Sequence, residues 1–277
     1  MAYKILVSDL DETLLNDDGT VNEKNVNAIK VASAQGFKFV PNTGRSYLSV
    51  QPLLKELGLY NKADQFVISY NGAAIIENEN NQVFLSRAMD FKLANQIFKA
   101  GLVDETVDAH IYTIDQLYIY NLSASDEKYM AERAVPFEVI DNAEIDFLMN
   151  KPIMKVIFES PNSATREKIK LAVIEAVGET AVEATFSSQR YVEFNQAGVD
   201  KGAAALLLGE KLGIKAEEII AVGDNNNDIA MIRAAGLGIS VANGIETVQE
   251  AADVVTKRTN NEGAIAEIIE RYVLEGN

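Results

Sequence analysis

The chain has no cysteine and a single histidine, His110, among its 277 residues. Without cysteine there are no disulfides, thiolate zinc sites or cysteine nucleophiles. With one imidazole, a multi-histidine metal centre is impossible, and a serine-histidine hydrolase would have to be built on His110. Acid-base work therefore falls to carboxylates or lysines. Positive charge is scarce as well: 25 Lys and Arg stand against 41 Asp and Glu, a formal net charge of −16. No basic surplus exists to neutralise phosphodiesters or anionic lipid, so neither nucleic acid nor membrane is expected as a partner. No stretch reaches the roughly 18 uninterrupted apolar residues of a membrane helix. The opening MAYKILVSDLDE carries acids where a signal peptide would carry its apolar region, so a cytoplasmic location is expected.

What is present is enough apolar material, 48%, for one large core and a smaller second one. Residues 1–76 alternate short apolar runs with helical periodicity. Lys4–Ser8, Phe37–Val40 and Phe66–Ser69 read as buried strands, and 23–34 and the face Val50, Leu53, Leu54, Leu57 as helices. The rhythm resumes near residue 200, with a helix stopped by Gly213, a strand at Ile219–Val222, a helix at 228–235 and a strand at Leu237–Val241. A last helix presents Ile265, Ile268, Ile269 and Tyr272. These flanks predict the two halves of one doubly wound α/β domain, 1–81 and 191–277.

Between them, Asp108–Leu122 alternates aromatic and aliphatic residues, and Val182–Phe186 with Arg190–Phe194 reads as a hairpin. Helical faces at Ala94, Ile97, Phe98 and at Ile169, Ala172, Val173, Ala176 complete an α+β domain inserted over 82–190.

Asp9 and Asp11 follow the first strand, and a two-residue side-chain period would send both carboxylates to one side of its end, where ligands of open parallel sheets sit. Two such charges repel by about 4 kcal/mol at about 4 Å for an effective dielectric near 20, so a cation is needed, and magnesium suits an all-oxygen site. An isolated Asp-x-Asp is as readily a polar turn. The segment Gly223-Asp224-Asn225-Asn226-Asn227-Asp228 opens a helix at the end of another apolar strand. Helix capping accounts for one or two of these residues but not for two acids and an Asn behind a glycine, so Asp224 is a candidate metal ligand with Asn227 and Asp228 about one turn on. Thr43-Gly44-Arg45-Ser46 brings a hydroxyl and backbone N–H groups to a third strand end, where they could hold phosphate oxygens or cap a helix. Lys201 begins a helix, a position where a lone lysine is ordinarily solvated.

With DLDETLL at 9–15, TGRS at 43–46, DKG at 200–202 and GDNNND at 223–228 in this order, the chain resembles the haloacid dehalogenase superfamily. The insertion after Tyr70-Asn71-Gly72-Ala73 makes it similar to the Cof-type, class IIB sugar-phosphate phosphatases. The resemblance implies a Rossmann-like core with an inserted α/β cap that sets substrate specificity. It implies Asp9 as nucleophile and magnesium ligand, and Asp11 as general acid and base lending its carbonyl to the metal. Asp224 would complete the protein's share of the metal shell. Thr43, Gly44, Lys201 and Asn227 would bind phosphate, with Asp228 and Arg45 in support. Asp11 could serve as acid only if burial beside like charge raised its pKa. Glu12 departs from the glycine or aspartate that many members carry.

The expected activity is magnesium-dependent hydrolysis of small phosphorylated metabolites, with sugar phosphates the expected class, in the cytoplasm, by a monomer or homodimer, through an aspartyl-phosphate. Two other readings stay open: a phosphomutase of the same superfamily, and a non-catalytic signalling protein phosphorylated on aspartate. A dehydrogenase is excluded because no Gly-x-Gly-x-x-Gly follows the first strand. Within the insertion, His110, the tyrosines 112, 118 and 120, and Arg190 could contact substrate, but sheet packing explains them as well.

Overall fold

The computed structural model describes residues 3–132 and 135–274. The chain forms two compact units, Met1–Leu85 with Asp200–Asn277, and Ser86–Val199. In chain order the first unit begins with β1 (Ile5–Ser8), α1 (Glu23–Ala34), β2 (Lys38–Pro41), α2 (Gln51–Glu56), β3 (Phe66–Ser69), β4 (Ala74–Glu77) and β5 (Gln82–Ser86). The second holds α3 (Phe91–Gly101), β6 (Asp108–Thr113), β7 (Leu117–Tyr120), α4 (Ala124–Glu132), β8 (Glu138–Ile140) and β9 (Ile153–Glu159). It continues with α5 (Ser163–Val177), β10 (Val182–Ser187) and β11 (Tyr191–Gln196). The first unit then resumes with α6 (Lys201–Lys211), β12 (Ile219–Gly223), α7 (Ile229–Ala234), β13 (Leu237–Ser240), α8 (Glu246–Ala251), β14 (Val254–Val255) and α9 (Ala264–Ile269).

The first unit is built on a parallel sheet of order β14-β13-β12-β1-β2. A parallel bridge from Asn42 to Ile68 leads on to β3, which starts a short sheet β3-β4-β5. Ile5, Val7 and Ala221 pack on Ala204, Ala205, Leu208 and Met231 of α6 and α7. The alternate residues Leu6, Phe39 and Ile220 are equally buried, so the sheet is covered on both faces, which is why its strands read as unbroken apolar runs. Helix α1 starts at an Asn22 cap and packs on α9; α6 starts at Asp200, whose carboxylate accepts from Gly202 and Ala203 N–H, and packs on α7. The chain winds outward from β1 in one direction and from β12 in the other. The crevice for a ligand therefore lies at the carboxyl ends of β1 and β12, where the order reverses.

The second unit is a sheet of order β10-β11-β9-β6-β7-β8, antiparallel except for the β7–β8 pair. Ala109, Ile111, Val156, Phe158, Val192 and Phe194 form one core with Ile97, Phe98, Ile169 and Val173 of α3 and α5. On the other face Leu117 and Ile119 meet Met130 of α4. His110 lies there too, donating from Nε2 to Asp126 at 2.7 Å, with Asp108 at 3.2 Å.

The insertion spans 86–199, not 82–190. Strand β5 stays with the first unit because it pairs in the β3-β4-β5 sheet, and β11 belongs wholly to the second because it is bonded to both β9 and β10. The expected hairpin is there, but the crossing follows its second strand instead of its turn. No helix among the described residues is long and apolar enough to cross a membrane.

Candidate active site

Two strand ends of the parallel sheet and the start of helix α6 converge on one buried cluster. Asp9 leaves β1 with its N–H bonded to Val222 of β12 at 3.0 Å, and Asp224 is the first residue after β12. Lys201, the first residue of α6, reaches in between them. Its ammonium donates to Asp9 Oδ1 and, at 2.7 Å, to Asp228 Oδ1. Lys201 is 1% exposed, Asp228 0%, Asp224 4% and Asp9 7%. The lysine is thus an internal counter-ion, not the solvated helix start that its position alone suggests.

Asp228 is engaged at both oxygens: its second oxygen accepts from the N–H groups of Asp224 (3.0 Å) and Asn225 (3.1 Å). Gly223 permits this arrangement, since a Cβ there would stand 2.4 Å from Asp228 Cγ. Asp228 is therefore committed to holding Lys201 and the 224–225 turn, whereas Asp9 and Asp224 keep oxygens for a ligand. One Asp224 oxygen accepts from Thr13 Oγ1 at 2.7 Å. Thr13 lies inside the first motif, and only its hydroxyl two residues past Asp11 could have drawn attention to it.

Three buried carboxylates against one ammonium leave two negative charges uncompensated. Burial first, and that surplus second, set the titration behaviour. Burial raises the Asp9 carboxyl well above its usual range; Lys201 opposes this, while Asp228, Asp224 and Asp11 add to it. Burial, then Asp228, pushes Asp224 up to about 7. Burial alone would lower Lys201, but Asp228 and Asp9 outweigh it and hold the ammonium charged beyond the ordinary lysine range. Carboxylate oxygens of Asp9, Asp224 and Asp228 lie within 4.8 Å of one another. An oxygen-only cluster short of positive charge fits a hard divalent cation such as magnesium, with Asp9 and Asp224 as the available side-chain ligands.

Asp11 is more exposed than expected. Extended backbone ends at Ser8, and the chain turns over residues 10–15, where the N–H groups of Thr13, Leu14 and Leu15 all bond to Leu10 O. Asp11 lies in that turn, past the strand's end; the carboxylates within 4.8 Å of Asp9 are Asp224 and Asp228, and Asp11 acts on Asp9 from farther off. The Asp11 side chain is 58% exposed and is held by Arg45. Glu12 adopts φ 59°, the left-handed region that glycine occupies without strain, and its carbonyl accepts from Asn243 Nδ2 at 2.8 Å.

Thr43 follows β2, is 1% exposed and accepts from the N–H of Arg45 at 3.1 Å through its hydroxyl. Its carbonyl accepts from Asn71 N–H at 3.0 Å. A Cβ on Gly44 would stand 2.9 Å from Asn71 Oδ1, so glycine lets the 43–46 and 70–72 loops meet. Asn42, which the sequence did not single out, ties the first residue of α6 to β2 by donating to Lys201 O at 2.9 Å. Asn227 sits half-buried on the short 3₁₀ turn Asn226–Asp228. The structure thus draws Asp9, Asp224, Asp228 and Lys201 into one contact network, with Thr13 joined to it, and pairs Asp11 with Arg45 separately.

Residues 6–269 match the haloacid dehalogenase-like hydrolase family. The chain is similar to YxeH of Bacillus subtilis (strain 168), 34% identical over 277 residues that cover 98% of this chain and 99% of that one. It is also similar to the 5-amino-6-(5-phospho-D-ribitylamino)uracil phosphatase YcsE of the same organism, 29% identical over 272 residues, covering 98% and 96% respectively. Among solved structures, a haloacid dehalogenase-like hydrolase from Bacteroides thetaiotaomicron aligns with a TM-score of 0.84 at 26% identity, over 97% of this chain and 99% of that one.

Proposed function

The chain belongs to the haloacid dehalogenase-like hydrolases and is a phosphoric monoester hydrolase, and from that premise we propose that it hydrolyses small sugar or polyol phosphates with Asp9 as nucleophile. The observation that carries this reading is the buried ammonium of Lys201 lying between Asp9 and Asp228, with Asp224 alongside, at the reversal point of the sheet.

In the first half-reaction an Asp9 carboxylate oxygen attacks phosphorus in line. The bond from phosphorus to the leaving oxygen breaks, and Asp11 gives that oxygen its proton. In the second, water attacks the aspartyl-phosphate and yields a proton to Asp11. The bond from phosphorus to Asp9 breaks, releasing inorganic phosphate and restoring the carboxylate. Magnesium, held by Asp9, Asp224 and the Asp11 carbonyl, would supply charge neutralisation for the phosphoryl oxygens. Lys201 adds a fixed positive charge beside the attacking oxygen, and Thr43, Gly44 and Asn227 would hold the remaining phosphoryl oxygens.

The inserted unit acts as the cap that excludes water and selects the leaving group. A polyhydroxylated leaving group is supported by the phosphorylated ribityl chain in the name of the YcsE relative. The test is a panel of phosphorylated sugars, sugar alcohols, nucleotides and pyridoxal phosphate, with magnesium and with chelator, reading free phosphate and isomerised product. Release of phosphate from sugar or polyol phosphates that stops on chelation is expected. Isomerised hexose phosphate without phosphate release would favour the mutase, and turnover indifferent to chelation would contradict the account.

A further inference from the structure

Arg45 and Asp11 meet in a two-pronged contact. The guanidinium donates from Nε to Asp11 Oδ2 at 3.1 Å and from Nη2 to Asp11 Oδ1. Both side chains are partly in water, 33% exposed for Arg45 and 58% for Asp11. Exposed ion pairs contribute little to stability, so stability gives no reason for this geometry. The fork of a guanidinium fixes the plane and direction of a carboxylate as well as its distance, which a point charge does not.

The two ends of this contact are anchored unequally. Arg45 is fixed through its backbone: its N–H is bonded to Thr43 Oγ1 and its carbonyl accepts from Tyr70 N–H at 3.2 Å. Asp11 sits in the turn after β1, outside the buried cluster. Asp228 accepts from three donors inside the cluster, whereas Asp11, outside it, has both oxygens gripped by the single guanidinium of Arg45.

We propose that Arg45 is a positioning residue for Asp11, orienting its carboxylate to take the proton of the attacking water, and not a direct ligand of the substrate. The inference rests on the role of Asp11 given above. Proton transfer requires donor and acceptor within hydrogen-bond reach and aligned, and an exposed carboxylate without its fork would sample rotamers that fail this.

The experiment is steady-state kinetics of Arg45→Ala, Arg45→Lys, Asp11→Asn and the Arg45→Ala/Asp11→Asn double variant on a phosphate monoester that the panel identifies, with circular dichroism to verify folding. Arg45→Ala is expected to lower kcat about 10- to 100-fold while KM stays within about threefold, since the loss of orientation cannot exceed the roughly 10²- to 10⁴-fold value of the proton transfer itself. Arg45→Lys keeps the charge without the fork and is expected to recover only a small part of that loss. In the Asp11→Asn background, Arg45→Ala is expected to change kcat no further, because the two residues act as one element. A raised KM with unchanged kcat, full recovery with lysine, or multiplicative losses in the double variant would each overturn the inference. An Asp11→Asn variant with wild-type turnover would instead overturn the underlying assignment of Asp11.

Discussion

Lys201 Nζ lies 2.7 Å from Asp228 Oδ1, and the same ammonium bonds to Asp9, so a single buried cation joins the start of α6 to the ends of β1 and β12. Removing it strands buried carboxylates. Lys201→Met is expected to cost about 3–5 kcal/mol of stability and to lower kcat at least about 10²-fold. Urea unfolding and steady-state kinetics on the same preparation check both. A variant of native stability would contradict the counter-ion role.

Asp224 links the site to pH. Burial and then Asp228 raise its carboxyl to about 7 from an ordinary 3.8. For a group raised on folding, the associated stability is complete below the unfolded pKa and is lost as pH rises through the folded one, here between about pH 4 and pH 7. The metal-free chain should therefore be more stable as Asp224→Asn than as wild type at pH 8, by about 1–3 kcal/mol, and indistinguishable near pH 4. Melting in chelator at both pH values measures this. Magnesium should stabilise the wild type and not the variant.

His110 gives a second, independent pH signature. Burial alone would lower its pKa, but hydrogen bonds to Asp108 and Asp126 outweigh it and push the imidazole up to about 9. Arg190, Glu159 and Tyr191 complete the surrounding network. The raised value means that this contribution is whole below about pH 6.5 and is lost as pH climbs through about 9. The difference in melting temperature between wild type and His110→Gln should thus shrink from pH 6 to pH 9.5, with roughly 3 kcal/mol as its upper bound. A difference independent of pH would show that folding leaves the pKa of the imidazole unchanged and would contradict the raised value.

Gly223 is required by closeness. Its substitution by Ala drives a methyl to within 2.4 Å of Asp228 Cβ and Cγ, so Asp228 must leave Lys201. Gly223→Ala should lose about 1–3 kcal/mol of stability and at least about 10²-fold in kcat, read by unfolding and kinetics.

The parallel core was legible because both faces of its strands are buried: apolar runs such as Ile5–Ser8 and Ile219–Gly223 stand out, and each ends at a polar residue of the cluster. The inserted unit was only partly legible. Strand β9 is buried along its whole length and shows no alternation, and α4 carries a weak apolar face whose Asp126 is buried by pairing with His110. The burial of Lys201 was hidden because sequence spacing says nothing of partners 27 and 192 residues away. The exposure of Asp11 was not legible for a local reason: it lies past the strand's end, in a turn bonded back to Leu10, where strand alternation says nothing of burial.

The central claim is that Asp9 carries the phosphoryl group. Rapid acid quenching of enzyme mixed with ³²P-labelled substrate, followed by peptide mapping, tests it most directly. Label on the peptide that contains Asp9, absent in Asp9→Asn together with turnover, is the predicted result. Turnover at wild-type rate in Asp9→Asn, or label on another residue, would contradict it.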